Sequence, residues 1–324
     1  MSLAEQIEHL LRRGAAPEAI QLLKRRSANG DGEADLILGQ WYVAGIHLPR
    51  DFAAAKASLE RAVGNGCTAA EEPLLAIRAR GPGNCPRDWP ATLQRLAWLG
   101  RTDSNARREA NLIAAMDLND NGDPQQDHQP EFLSRDPLIV QFRSFLSASE
   151  CDALIDLAKP RLVPAQVVHP ETGQLVNDRV RTSCAAAFPL LDETPMLHAI
   201  NRRIAAASRS QYEQGEPAQI LAYAPGQQYH LHSDALVAES NQRIQTFLIY
   251  LADDFTGGAT YFPHGDQTLR PARGDAICWS NVDSTMRPLK SATHAGLPVI
   301  QGTKYVLSKW IRRYPLDLQA NAKR

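Results

Sequence analysis

Apolar residues over positions 1 to about 116 recur at i, i+3 and i+4 against a background of Ala, Leu, Arg and Glu. That is the period of a helix with one buried face, so the whole stretch is predicted helical. A weak internal repeat runs through it. Asp51-Phe-Ala-Ala-Ala-Lys-Ala-Ser-Leu-Glu-Arg-Ala returns loosely as Asp88-Trp-Pro-Ala-Thr-Leu-Gln-Arg-Leu-Ala, 37 residues later, and Ala19-Ile-Gln-Leu-Leu-Lys-Arg-Arg is a poorer earlier copy. A period of that length corresponds to one helix pair, and such pairs stack because none buries its apolar face alone.

The pattern then breaks. Residues 117–135, DLNDNGDPQQDHQPEFLSR, are polar and read as a linker. Asp117, Asn119, Asn121 and Gly122 match the start of a calcium loop, but His128 stands where the twelfth position needs a bidentate Glu, so solvated turns are the reading. From 136 to 315 short apolar runs are punctuated by Gly and Pro: 137–142, 219–224, 245–252, 259–262, 276–280 and 304–313. Short strands at that spacing predict a sandwich or jelly roll. Ser147 with Glu150 three residues on predicts a helix start, and a second helix is placed around 191–210. The expected class is α+β in several domains, with a polar tail at 316–324.

The central helical unit, Ala34-Asp-Leu-Ile-Leu-Gly-Gln-Trp-Tyr-Val-Ala-Gly with Asp51, Ala54, Ala62 and Gly66, resembles a Sel-one-like repeat of the tetratricopeptide class. Small residues at Gly39, Ala54 and Ala62 would let two helices approach closely, and Gly45 and Gly66 suit helix ends that need positive φ. The resemblance implies a surface for docking peptides or proteins. A helical cap packed on the second domain or on another copy of the chain is the competing reading. Oligomeric state is left open.

Composition narrows the partners. The formal net charge is −1, with 44% hydrophobic and 22% charged residues, which argues against a nucleic acid or an anionic membrane as partner. The amphipathic start MSLAEQIEHLLRRG carries no secretory pattern, and no apolar run is long enough to span a bilayer. The five cysteines are scattered and form no CxxC pair. They read as small buried residues in a reducing, cytoplasmic setting.

The chemistry sits in Tyr223-Ala-Pro-Gly-Gln-Gln-Tyr-His-Leu-His-Ser-Asp234. His232 and Asp234 are two apart, so on a strand both can point at one ion. A His-x-Asp pair with one distant His is the facial triad of non-haem iron(II) oxygenases, which leaves open positions for a 2-oxo acid and dioxygen. His294 supplies the distant imidazole, and Lys304, ten residues on, supplies a cation for the far carboxylate.

These residues belong to a longer series of motifs. It runs Phe145-Leu-Ser-Ala-Ser-Glu-Cys-Asp, Arg181-Thr-Ser183, Tyr223-x-x-Gly-x-x-Tyr-x-x-His232-x-Asp234 and Arg243-x-x-Thr-Phe-Leu-Ile-Tyr-Leu251. It continues with Gly257-Gly-Ala-Thr260-Tyr-Phe, Pro271-x-x-Gly-Asp-Ala, His294-Ala-Gly-x-Pro-Val-x-x-Gly-x-Lys304 and Trp310-Ile-Arg. In that order the segment resembles the prolyl 4-hydroxylase family of 2-oxoglutarate oxygenases. The resemblance implies a double-stranded β-helix with His232, Asp234 and His294 on iron(II). It assigns Lys304 to the C5 carboxylate of 2-oxoglutarate, Tyr223 and Thr260 to hydrogen bonds with that cosubstrate, and Trp310 to its pocket wall. Arg243, Arg181 and Ser183 match positions lining the family's substrate groove. Dioxygen as second cosubstrate and ascorbate as reductant are implied with them.

The expected activity is hydroxylation of an unactivated carbon, foremost prolyl C4 of a peptide or protein presented by the helical repeats, with release of succinate and CO2. The alternatives are the same chemistry on a free amino acid or other small molecule, and a non-catalytic sensor or docking protein. Beside these assignments, His230 is placed near the pocket mouth, His264 in a loop and Tyr229 in packing, and Arg243 is read as a substrate contact in preference to a surface ion pair.

Overall fold

A computed structural model of the chain describes residues 1–168, 175–177, 181–236 and 239–316. Most of the predicted tail, 317–324, lies outside the described residues. The described residues form two compact units: 1–123 with 190–199, and 124–189 with 200–316.

The first unit holds helices α1 (Leu3–Arg12), α2 (Ala16–Ala28), α3 (Gly32–Ala44), α4 (Phe52–Gly64), α5 (Glu71–Arg80), α6 (Trp89–Leu99) and α7 (Ser104–Ala114). The sequence repeat is a repeat of helix starts. Asp51 caps α4 by accepting the Ala54 N–H at 3.0 Å, and Asp88 caps α6 by accepting that of Ala91 at 3.1 Å. Each cap satisfies a donor that the first helical turn leaves without a partner. The next residue in each case, Phe52 or Trp89, is an aromatic buried to 2% exposure. Close approach of α3 and α4 depends on Gly39, where a Cβ would stand 2.9 Å from the Leu59 side chain. Ala55, not the predicted Ala54, is the fully buried small residue facing this contact. Gly45 ends α3 at φ 67, a left-handed conformation that glycine reaches without a Cβ penalty. Phe52, Leu59, Leu74, Ile77 and Leu190 share one core, and Leu3, Ile7, Leu23 and Leu38 a second.

The stretch predicted as a linker is partly regular. Asn119 Oδ1 accepts the N–H groups of Asn121 and Asp123 at 2.9 and 3.0 Å, a side-chain turn that needs no ion. Residues Glu131–Arg135 are a strand, β1. Its polar composition hid it, because an edge strand with one wet face need not alternate visibly.

The second unit continues with β2 (Leu138–Phe142), α8 (Ala148–Ala158), β3 (Val163–Pro164), β4 (Gln166–Val168), β5 (Leu175–Asn177), β6 (Cys184–Phe188) and α9 (Pro195–Ala207), whose first turn belongs to the helical unit. Then come β7 (Ala218–Tyr223), β8 (Tyr229–His232), β9 (Arg243–Tyr250), β10 (Thr256–Gly257), β11 (Thr260–Phe262) and β12 (Gln267–Leu269). The last are β13 (Ala276–Ser280), β14 (His294–Gly296), β15 (Val299–Gln301) and β16 (Lys304–Arg312). The predicted capping box is present: Ser147 Oγ accepts the Glu150 N–H at 3.2 Å, and Glu150 accepts that of Ser147 at 2.7 Å.

Eight strands pair antiparallel in the order β1-β2-β13-β9-β16-β7-β6-β3, and four in the order β12-β11-β14-β8. Leu221, Tyr223, Leu248, Tyr250, Ile277, Trp279 and Val306 of the larger sheet meet Phe262 of the smaller in one core. Phe262 stands edge-on to Trp279 with ring centres 5.5 Å apart. The predicted double-stranded β-helix is this pair of sheets. Its consequence for function is that one end of the sandwich core carries polar residues from both sheets.

Candidate active site

The antiparallel register of β8 and β14 sets His232 directly opposite His294. Asp234 follows β8 by two residues. The candidate ligand atoms of the three residues lie within 4.8 Å of one another. Each imidazole is oriented by its own strand: His232 Nδ1 lies 2.7 Å from the His230 carbonyl and His294 Nδ1 3.0 Å from the Ala292 carbonyl. A carbonyl only accepts, so both Nδ1 atoms carry a proton and Nε2 is the nitrogen each ring can offer to an ion. Those Nε2 atoms face Asp234, at 3.6 Å from Oδ1 and from Oδ2 respectively.

Electrostatics agree with the tautomers. Burial holds the His294 imidazole down at about 4, against the pull of Asp234, so it is neutral near pH 7. Burial alone would raise Asp234, but His294, His232 and the Thr246 hydroxyl outweigh it and keep the carboxyl below the ordinary carboxylate range. Two imidazoles and one carboxylate are the donor set that suits iron(II). The residues present fit that ion.

From the triad a cleft extends between the sheets to Lys304, bordered by Leu221, Leu248, Trp279, Val306 and Trp310. Lys304 is 4% exposed. Its Nζ donates to the Gly258 carbonyl at 2.7 Å and lies 5.5 and 4.9 Å from the ring centres of Tyr223 and Tyr250. Among the described residues it makes no ion pair. Burial pulls it down to about 7. The Tyr250 hydroxyl and Thr260 Oγ1 are hydrogen bonded at 2.7 Å, and burial raises Tyr250 to about 12. The indole N–H groups of Trp279 and Trp310 are buried without a protein acceptor.

Tyr223, Thr260, Trp310 and Arg181 thus line the cleft with the triad and Lys304. Two predicted groove residues do not. Arg243 is bound by Glu216, with Nε to Oε1 at 2.7 Å and Nη2 to Oε2 at 2.8 Å, and lies flat 3.8 Å over the Trp310 ring. The ion pair set aside at the sequence level is the arrangement present, because Glu216 precedes β7 at the end of the sheet where β9 and β16 carry Arg243 and Arg312. Ser183 is 1% exposed and lies away from the cleft lining. Tyr229 packs on a ligand: its ring stacks on His232 at 3.4 Å and 14°, with the Arg181 guanidinium 5.6 Å from the Tyr229 ring centre. His230 and His264 are exposed, outside the triad.

Sequence reading missed Thr246, Asn281, Tyr250 and Trp279. Thr246 Oγ1 is 2.7 Å from Asp234 Oδ2, and Asn281 Nδ2 donates to Thr246 Oγ1 at 2.9 Å. Thr246 was visible as a lone hydroxyl opening the apolar run Phe247–Leu251. Asn281 gave no signal.

The 2OG-Fe(II) oxygenase superfamily matches residues 218–312. Prolyl 4-hydroxylase 1 of Arabidopsis thaliana is 37% identical over 206 residues, covering 57% of this chain and 72% of that protein. Probable prolyl 4-hydroxylase 3 of the same plant is 36% identical over 211 residues, with the same coverages of 57% and 72%. The viral collagen prolyl hydroxylase of Paramecium bursaria Chlorella virus-1, solved as a 2OG complex, is 28% identical with a TM-score of 0.44, covering 54% of this chain and 96% of its own. By that likeness, spread over most of the plant proteins' length, the chain belongs to the prolyl 4-hydroxylase family of iron(II)- and 2-oxoglutarate-dependent oxygenases.

Proposed function

We propose that this dioxygenase hydroxylates C4 of prolyl residues in a peptide or protein. The observation that carries the reading is Lys304, a buried cation without an ion pair among the described residues, at the far end of a cleft that opens on three converging metal ligands. A buried charge is costly until an opposite charge meets it, and a dicarboxylate reaching from the metal to Lys304 would do so. The names of the plant relatives support proline as the target.

His232, Asp234 and His294 would hold iron(II) through two Nε2 atoms and a carboxylate oxygen. Iron(II), when bound, would supply the activation of dioxygen that couples decarboxylation of 2-oxoglutarate to C–H hydroxylation. The chain's own groups bind and orient. Lys304 would pair with the C5 carboxylate, a charge-assisted contact. Thr260, hydrogen bonded to Tyr250, would donate to the same end, with Tyr223 beside it. Leu221, Leu248, Val306 and Trp279 keep water from the cleft, and Trp310 closes the wall. Arg181, 5.6 Å from the Tyr229 ring centre, lines the cleft and would face the substrate. Ascorbate would serve as reductant.

The helical unit supports a second role, docking of the protein substrate, since stacked helix pairs offer extended surfaces for chains. The five free cysteines fit work in the reducing cytoplasm.

The test is anaerobic titration with iron(II) and then 2-oxoglutarate, followed by proline-containing peptides under air. A weak visible charge-transfer band that disappears in Asp234→Ala, and a peptide gaining one oxygen on proline with matching succinate, are expected. A fully metal-loaded protein that never shows the band would overturn the assignment.

A further inference from the structure

The carboxylate of Asp234 has two oxygens, and the way they are shared depends on residues outside the family of direct ligands. Oδ2 lies 2.7 Å from Thr246 Oγ1. That hydroxyl has one proton to give. Asn281 Nδ2 stands 2.9 Å from the same Oγ1. An amide nitrogen has no lone pair to offer, so it only donates. Thr246 therefore accepts from Asn281, and its own proton is left for Asp234 Oδ2. The other amide orientation would draw that proton toward Asn281 and away from the carboxylate.

Asn281 is placed to hold this direction. It is fully buried, its backbone N–H donates to the Ile244 carbonyl at 2.9 Å, and its carbonyl accepts the Leu289 N–H at 2.9 Å. Its side-chain Oδ1 is buried without a partner. A buried amide that spends its donor and leaves its acceptor unsatisfied costs stability relative to an apolar residue of similar size. Nothing in the local strand pairing requires an amide at this position, and the donor is the only part of the side chain in use.

We infer that Asn281 is a positioning residue for the metal site. Acting through Thr246, it secures the hydrogen bond to Asp234 Oδ2 and so fixes the orientation of the carboxylate toward the ion. Neither Asn281 nor Thr246 touches the ion. This inference rests on the metal assignment proposed above.

Groups that orient a metal ligand from behind typically affect affinity by about 10- to 100-fold. The experiment is titration of the full-length protein with Mn(II), read by the loss of the free-ion electron paramagnetic resonance signal. Asn281→Leu and Thr246→Val are expected each to weaken Mn(II) binding at least about tenfold. The double variant should be no weaker than Thr246→Val alone, because Asn281 acts only through that hydroxyl. Asn281→Asp keeps the size and shape of the side chain but presents an acceptor, and it should show the same loss of Mn(II) affinity. Additive losses in the double variant, or wild-type affinity in Asn281→Asp, would overturn the inference while leaving the triad intact. Wild-type protein that takes up no Mn(II) would overturn the metal site and the inference together.

Discussion

At the scale of single residues, Lys304 joins two observable properties of the site. Its folded-state value of about 7 lies below the 10.5 of an exposed lysine. Between those values the unfolded chain carries a proton that the folded chain lacks. Stability of the protein without cosubstrate should therefore rise as pH goes from about 7 toward 10.5, and the contribution is lost below about 7. Binding of a dicarboxylate restores the charge, so 2-oxoglutarate binding above pH 7 should take up a proton, and its affinity should fall as pH rises. Calorimetric titration in two buffers of different ionisation enthalpy measures that uptake. Lys304→Met should abolish both effects and raise the KM for 2-oxoglutarate on the order of 100-fold, as when one partner of a buried charge pair is removed. Unchanged Mn(II) affinity in the same variant separates this role from that of the triad. An unchanged KM would show that another group holds the carboxylate.

At the scale of elements, the cation depends on the second glycine of the Gly257-Gly258 pair. Gly258 has φ +63, its carbonyl receives the Lys304 proton, and a Cβ there would stand 3.0 Å from Phe255, 3.1 Å from Val299 and 3.2 Å from Lys304 Cδ. Gly258→Ala is expected to cost about 1–3 kcal/mol, measured by denaturant unfolding, and to raise the KM for 2-oxoglutarate with little change in that for peptide. Equal changes in both constants would argue against a specific link to Lys304. The elements themselves were legible unevenly. β7, β9, β13 and β16 are buried on both sides over most of their length and read as apolar runs. β8, β12 and β14 are three or four residues long and hold polar side chains, so they carry too little pattern to be read. The triad was legible because His232 ends β8 with Asp234 two residues on and the motif order fixes the third. The Arg243–Glu216 ion pair was not legible because the two residues lie 27 apart in sequence. The Asn281–Thr246 contact escaped for the same reason, joining residues 35 apart.

At the scale of the whole molecule, the helical unit is assembled from two separated pieces of chain. Leu190 completes the core of Phe52, Leu59, Leu74 and Ile77, and the Met196 N–H donates to the half-buried Glu109 at 2.7 Å. A fragment beginning at residue 124 would keep the triad and Lys304 but leave the 190–199 segment without that core. Such a fragment should melt well below the full chain and self-associate in sedimentation experiments. A monomeric fragment as stable as the full chain would show that the segment does not need its helical partners.

The same arrangement sets a schedule for synthesis. The first 123 residues leave the ribosome as helices, but the last piece of their core is still 67 residues upstream of the exit, from 123 to 190. At roughly 5–20 residues per second, the wait lasts about 3–13 s. Through that interval the apolar face awaiting Leu190 stays open to other chains, so the nascent helical region is the part of this protein most in need of a chaperone.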